Sequence, residues 1–178
     1  GNCKNDLCIS GYKLDASTGQ ELPGWEIRLA SKWGLLMRNS TTDENGRYSF
    51  CGFYPGDYLL NEIPKKGWTN IDAPGAVTLS NDNLTNQNFT NQKRPWTVCK
   101  NGSCDFTIIQ DAVNNASSGD TIEVHSGTYD EHVNVNKKLT LQGVNTGDGL
   151  PVVDAGDSGS AITISADGCT VEGFEARN

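Results

Sequence analysis

The strands in the second half of the chain are too short to make an ordinary sheet. Thr121-Ile-Glu-Val-His125, His132-Val-Asn-Val135, Leu139-Thr-Leu141, Pro151-Val-Val153, Ala161-Ile-Thr-Ile164 and Thr170-Val171 follow one another, separated by turns rich in Gly, Asn and Asp. So short a strand buries little apolar surface by itself. It gains a core only by stacking on its counterpart one coil further along, so this pattern predicts a solenoid. One amphipathic segment precedes the strands. Phe106-Thr-Ile-Ile-Gln-Asp-Ala-Val-Asn-Asn-Ala116 puts Ile108, Ile109, Ala112, Val113 and Ala116 on one stripe at helical spacing. Ser117-Ser118-Gly119-Asp120 stops it.

The first half reads differently. Trp25, Ile27 and Leu29 alternate with Glu26, Arg28 and Ala30, and Arg47-Tyr-Ser-Phe50 and Asp57-Tyr-Leu-Leu60 are further short strands. Strong turn signals lie between them at Ser17-Thr-Gly19, Asp43-Glu-Asn-Gly46 and Pro55-Gly-Asp57. That spacing predicts a small β-sandwich. Lys93-Arg94-Pro95 reads as a linker. The chain is therefore expected to be all-β, with a sandwich over 1–94 and a solenoid over 95–178.

Charge removes several function classes. The net charge is −8 and the pI about 4.6, whereas a nucleic-acid partner needs a basic patch. The sequence contains no run of 18 apolar residues, the length that would suggest a membrane-spanning helix. Two cysteine pairs share a local pattern, Cys3-Lys-Asn-Asp-Leu-Cys8 and Cys99-Lys-Asn-Gly-Ser-Cys104. Disulfides within each pair are the expectation, with a metal knuckle or reduced thiols as the alternatives. Cys169 shares a strand face with Val171 and is expected to be a buried thiol; the partner of Cys51 is left open. Asn-x-Ser/Thr acceptors stand at Asn39, Asn83, Asn88, Asn101 and Asn115. Disulfides and acceptors together favour an exported, extracellular protein.

Several motifs of the first half resemble those of the collagen-adhesin B-type and serine-aspartate-repeat B-type sandwiches of surface proteins. They are Lys13-Leu-Asp-Ala-Ser-Thr-Gly19, Leu22-Pro-Gly24, Thr42-Asp-Glu-Asn-Gly46, Tyr48-Ser-Phe50, Pro55-Gly-Asp-Tyr58, Asn61-Glu-Ile63 and Gly67-Trp68. The resemblance covers most of residues 8–92. It implies an Ig-like or prealbumin-like β-sandwich that acts as a stalk or spacer. It also implies an intramolecular isopeptide bond of the kind some of these domains carry. Lys13, Glu62 and Asn91 fall on the positions of nucleophile, proton-transferring acid and acceptor amide. A lysine desolvated among apolar groups becomes nucleophilic. The alternative is a set of exposed polar residues, because the pattern does not say which face of the Ile9, Gly11, Lys13 strand is core.

The second half resembles the N-terminal cap and first coils of right-handed parallel β-helices of the pectin-lyase-like type, including surface proteins of methanogenic archaea. The matching residues are Asp105-Phe-Thr-Ile-Ile-Gln-Asp-Ala-Val113, Ser118-Gly-Asp-Thr-Ile122, Gly127-Thr-Tyr129, Glu131-His-Val-Asn-Val135, Lys138-Leu-Thr-Leu141, Ile162-Thr-Ile164 and Gly168-Cys-Thr-Val-Glu-Gly-Phe174. This implies a short right-handed β-helix with one N-terminal capping helix. Fold resemblance does not bring function with it.

No catalytic constellation is expected. The carboxylates Glu123, Asp130, Glu131, Asp148, Asp154 and Asp157 read as turn or outward positions rather than a facing pair. Glu123, His125 and His132 lie on neighbouring strands, but their spacing fits solvated histidines better than a zinc site. Asp43-Glu44 and Asp154-Ala-Gly-Asp157 read as solvated turns before weak calcium sites. No cofactor and no metal are expected. Trp33 and Trp68 are the candidates for stacking on sugars, and Trp25 for the core.

The expectation is a non-catalytic structural protein of a cell envelope. It would assemble with copies of itself through the last coil of an uncapped solenoid as a filament or sheath subunit of archaeal type. The alternatives are an adhesion or carbohydrate-binding module that takes cell-surface glycans, a fragment of a larger β-helix surface protein, and a fragment of a polysaccharide-active β-helix enzyme.

Overall fold

A computed structural model describes residues 6–178, which divide into two compact units between Lys93 and Arg94. Among the described residues, eight strands form the first unit and a ninth opens the second. They are β1 (Leu7–Asp15), β2 (Glu26–Ser31), β3 (Leu36–Thr41), β4 (Arg47–Phe53), β5 (Gly56–Glu62), β6 (Trp68–Asp72), β7 (Gly75–Leu79), β8 (Phe89–Lys93) and β9 (Trp96–Val98).

The first eight form two sheets, ordered β4-β1-β8-β6 and β3-β2-β5-β7. All their pairings are antiparallel except β1 with β8, where Lys13 lies opposite Phe89 and Asp15 opposite Asn91. Period-two alternation sends one face of β1, β2, β4 and β5 inward. Ile9, Ile27, Leu29, Tyr48, Phe50 and Leu60 are the buried result, joined in the core by Leu79 and Phe89. On β1 the inward face is Leu7, Ile9, Gly11 and Lys13. A lysine therefore occupies a core position. Gly11 is required there, because a Cβ would stand 1.9 Å from the Gln87 carbonyl oxygen.

The second unit is built from passes of the chain that repeat three strands. The first pass has β10 (Thr121–His125), β11 (Thr128–Asp130) and β12 (Val133–Val135). The second has β13 (Thr140–Val144), β14 (Val152–Asp154) and β15 (Ile162–Ile164), and the third β16 (Thr170–Glu172) and β17 (Glu175–Arg177). Each strand pairs in parallel with its counterpart one pass later, giving the orders β16-β13-β10-β9, β11-β14-β17 and β12-β15. Apolar residues stack in register, Ile122 on Leu141 on Val171 and Tyr129 on Val153. At Gly143 the passes come closest, where a Cβ would lie 1.8 Å from the Gly173 oxygen.

The helix α1 (Ile109–Asn115) is shorter than its apolar stripe predicts. Ile109, Ala112, Val113 and Ala116 are buried, but Ile108 is extended and exposed. The shortening has a local cause. No residue next to the helix supplies a side-chain N-cap, and the Glu131 carboxylate does so from the β11–β12 connection. It accepts the Ile109 and Gln110 N–H groups at 2.9 and 3.0 Å. Lys137 donates to the Asn114 and Ala116 carbonyls at the other end. Acid at the N-terminus and base at the C-terminus both suit the helix dipole. Glu131 is thus a structural cap rather than an outward turn residue.

Candidate functional site

Three polar groups meet inside the sandwich. Lys13 reaches in from β1 and Asn91 from the adjacent β8, and Glu62 ends β5 in the opposite sheet. Lys13 and Asn91 are 0% and 1% exposed, and the Glu62 side chain 8%. Lys13 Nζ donates to both Glu62 Oε2 and Asn91 Oδ1. Asn91 Nδ2 donates to Glu62 Oε1 at 2.8 Å. One carboxylate therefore touches the amine with one oxygen and the amide nitrogen with the other. Such contacts supply the partners that burial demands.

Aromatic walls enclose the amine. Lys13 Nζ stands 4.2 Å from the centre of the Trp25 ring and 5.6 Å from that of Phe89. Trp25 is itself buried and packs edge-to-face on Trp68 at 5.8 Å. Burial pushes the Lys13 pKa down, and the hydrogen bond and charge of Glu62 oppose this only in part. Asn70 of β6 is exposed and lies directly opposite Asn91 in the ladder. Its Nδ2 stands 3.2 Å from Asn91 Oδ1, 3.2 Å from Glu62 Oε1 and 3.4 Å from the Asp72 carbonyl oxygen.

The cysteines correct one expectation. Cys8 is bonded to Cys51, not to Cys3, because β1 and β4 place those two residues directly opposite each other. Cys3 lies outside the described residues. Cys99 and Cys104 are bonded to each other, and Cys169 is a partly buried thiol that donates to the Lys137 and Ala166 carbonyls. Folding brings His125 to the second pair, with Nδ1 at 3.6 Å from Cys104 Sγ. These three are the one group of metal-ligand types brought together among the described residues. With both sulfurs in a disulfide it offers an imidazole and no thiolate.

Other expected positions scatter. His132 lies at 3.2 Å from the Ser160 carbonyl, apart from His125. Glu123 and His125 are half-exposed on the outer face of β10. Asp43 accepts the Asn45 and Arg47 N–H groups, and Asp154 that of Gly156, so these carboxylates fasten their own turns. Trp33 is 84% exposed, whereas Trp68 is half-buried against Trp25 and offers no free platform. Asn39, Asn83, Asn101 and Asn115 are exposed and Asn88 is half-buried. Asn83 and Asn88 use their side-chain oxygens to accept the Cys8 and Tyr12 N–H groups, and Asn101 accepts that of Ser103.

The second unit carries its own partly buried ion pair. Asp105 accepts from Arg94 Nη1 and Nη2 at 2.6 and 2.7 Å and from the Thr97 N–H and hydroxyl, each at 3.1 Å. Burial pushes the Asp105 carboxyl up, but these donors together hold it below the ordinary carboxylate range. No helix of the described residues is long and apolar enough to cross a membrane.

Comparison with known proteins finds similarity over part of the chain. One relative is Colossin-A of Dictyostelium discoideum, 44% identical over 69 residues, which are 39% of this chain and 1% of that protein. Another is a cell surface glycoprotein of Methanothermus fervidus, 40% identical over 77 residues, 42% of this chain and 12% of that protein. The chain thus spans a small part of the length of either. Among solved structures, the Bacillus anthracis TIE protein aligns with a TM-score of 0.43 at 21% identity, over 49% of this chain and 17% of that one. BcpA, the major pilin subunit of Bacillus cereus, aligns with a TM-score of 0.43 at 21% identity, over 51% of this chain and 31% of that one. The family model described as the SpaA prealbumin-like fold domain matches residues 8–93, and these residues are a prealbumin-like β-sandwich domain of the SpaA type.

Proposed function

We propose that this chain is a non-catalytic, load-bearing segment of an extracellular surface protein, whose first domain locks itself with an amide bond between Lys13 and Asn91. The observation that carries the reading is the buried contact of Lys13, Glu62 and Asn91. Glu62 takes a proton from Lys13 through Oε2. The freed Nζ lone pair attacks Asn91 Cγ, and the carbonyl π pair moves onto Oδ1. Glu62 delivers its proton to Nδ2, the Cγ–Nδ2 bond breaks as the carbonyl re-forms, and Glu62 takes a second proton from Nζ. One ammonium and one carboxylate, acting on a carboxamide, become a secondary amide, ammonia and a carboxylic acid, with no redox change.

β1 and β8 are the first and last strands of the domain, so the bond joins the positions through which tension enters and leaves. Lys13 and Asn91 are 78 residues apart. If they were free, that stretch would extend by about 260–280 Å. Pulling the whole chain by its ends, with disulfides reduced, tests the reading. The wild type lacks this length, and Glu62→Ala releases it. A wild type that extends fully refutes it.

The three-strand passes with parallel pairing are the arrangement of a β-helix, which we infer for residues 95–178. Similarity to the Methanothermus fervidus glycoprotein supports an archaeal cell-surface setting. Among the described residues β16, β17 and β15 stand at the ends of their sheets, each with one edge that a further coil of the same polypeptide or a second copy could pair in parallel. Self-association through these edges predicts ordered filaments by negative-stain electron microscopy, and monodisperse particles at high concentration contradict it. The exposure of Trp33, with Lys32 Nζ 5.0 Å from its ring, favours adhesion to glycans as a second reading. Glycan binding lost in Trp33→Ala tests it.

A further inference from the structure

We infer that Asn70 supplies the oxyanion donor for the amide-forming step, an assignment that rests on the proposed Lys13–Asn91 bond. As Nζ attacks, negative charge develops on Asn91 Oδ1, the atom that Lys13 itself holds in the ground state. Lys13 must give up protons to react, so its donation to that oxygen weakens as the charge grows. Asn70 Nδ2 is the neutral donor that stays there, at 3.2 Å. Its contact to Glu62 Oε1, also 3.2 Å, lies beside the atom that protonates the leaving nitrogen. One amide group thus touches the oxygen that gains charge and steadies the carboxylate that moves the protons.

Register explains how it gets there. Asn70 and Asn91 are cross-strand partners on antiparallel β6 and β8, with an irregularity between Asn70 and Asp72. Such a break re-aims a side chain beside a site. Asn70 is exposed while its amide reaches the buried cluster. Because the donor is solvated on one side, its effect is expected at or below the lower end of the roughly 100- to 1,000-fold that a lost oxyanion donor costs, about 10- to 100-fold in rate.

The test follows bond formation in the whole chain after pulse-labelled cell-free synthesis, by denaturing gel mobility and intact mass over time. Wild type, Glu62→Ala, Asn70→Ala and Asn70→Ser are compared. The inference predicts that Glu62→Ala forms no bond. Asn70→Ala forms it about 10- to 100-fold more slowly. Asn70→Ser, which keeps an O–H donor, recovers part of the rate. If wild type and Asn70→Ala form the bond equally fast, or if Asn70→Ser recovers none of the rate that Asn70→Ala loses, the assignment to Asn70 is wrong and the bond stands. If wild type forms no bond, the reading beneath it fails as well.

Discussion

Removing the Lys13–Asn91 bond has a cost that follows from chain connectivity. The clean perturbation is Lys13→Met with Glu62→Gln, which deletes nucleophile and buried charge pair together. Removing only one partner would add the penalty of an unpaired buried charge, several kcal/mol in its own right. The closed loop spans 78 residues. By chain entropy alone a loop of that length stabilises by about 4.5 kcal/mol. The Cys8–Cys51 disulfide overlaps it and shortens the free path to about 45 residues, lowering the figure to about 4 kcal/mol. The first-domain transition should then fall by roughly 15–30 °C. Scanning calorimetry of the whole chain, with and without reductant, measures it. The reasoning predicts a larger drop with the disulfide reduced than with it intact. A drop equivalent to less than about 1 kcal/mol, in protein whose wild type is shown to be bonded, would refute the loop-closure argument.

Three further outcomes are expected. In Glu62→Ala both influences that raise the Lys13 pKa are gone, and burial alone lowers it. The folded state then binds fewer protons than the unfolded chain between that depressed pKa and about 10.4, so stability should rise with pH across this window, read as a urea midpoint that climbs from neutral to alkaline buffer. For Asp105, held below the ordinary range, the contribution is present above about pH 4 and is lost as pH falls through the folded value. Asp105→Ala should destabilise the second domain by about 2–3 kcal/mol at neutral pH, discounted because Arg94 is partly exposed, and the deficit should shrink in acid. Gly143→Ala forces a methyl into the Gly173 backbone. It should cost more than about 3 kcal/mol, and an unchanged melting curve would mean the passes are not stacked as described.

The sequence made the elements legible where local chemistry sets them. Asp43-Glu-Asn-Gly46 closes its turn through the Asp43 side chain, as that motif predicts. The short strands of the second half stack pass on pass because nothing else could bury them. What stayed hidden depends on pairing between distant strands. Cys8 and Cys51 meet only once β1 lies against β4, and the local C-x4-C pattern pointed to Cys3 instead. The face of Lys13 could not be assigned from Ile9 and Gly11, because glycine and lysine say little about which side is core. Asn70 gave no signal at all. It sits in a polar strand, and its meaning lies in its register with Asn91. Glu131 looked like a surface turn residue because its partners, the first N–H groups of α1, are far away in sequence.

The covalent lock is tested most directly by intact mass of the purified chain, denatured and fully reduced so that disulfides do not enter. The account predicts a wild type lighter than its sequence by one ammonia, a tryptic fragment joining the Lys13 and Asn91 peptides, and full sequence mass in Glu62→Ala. A wild type at full sequence mass, with the two peptides separate, would contradict it.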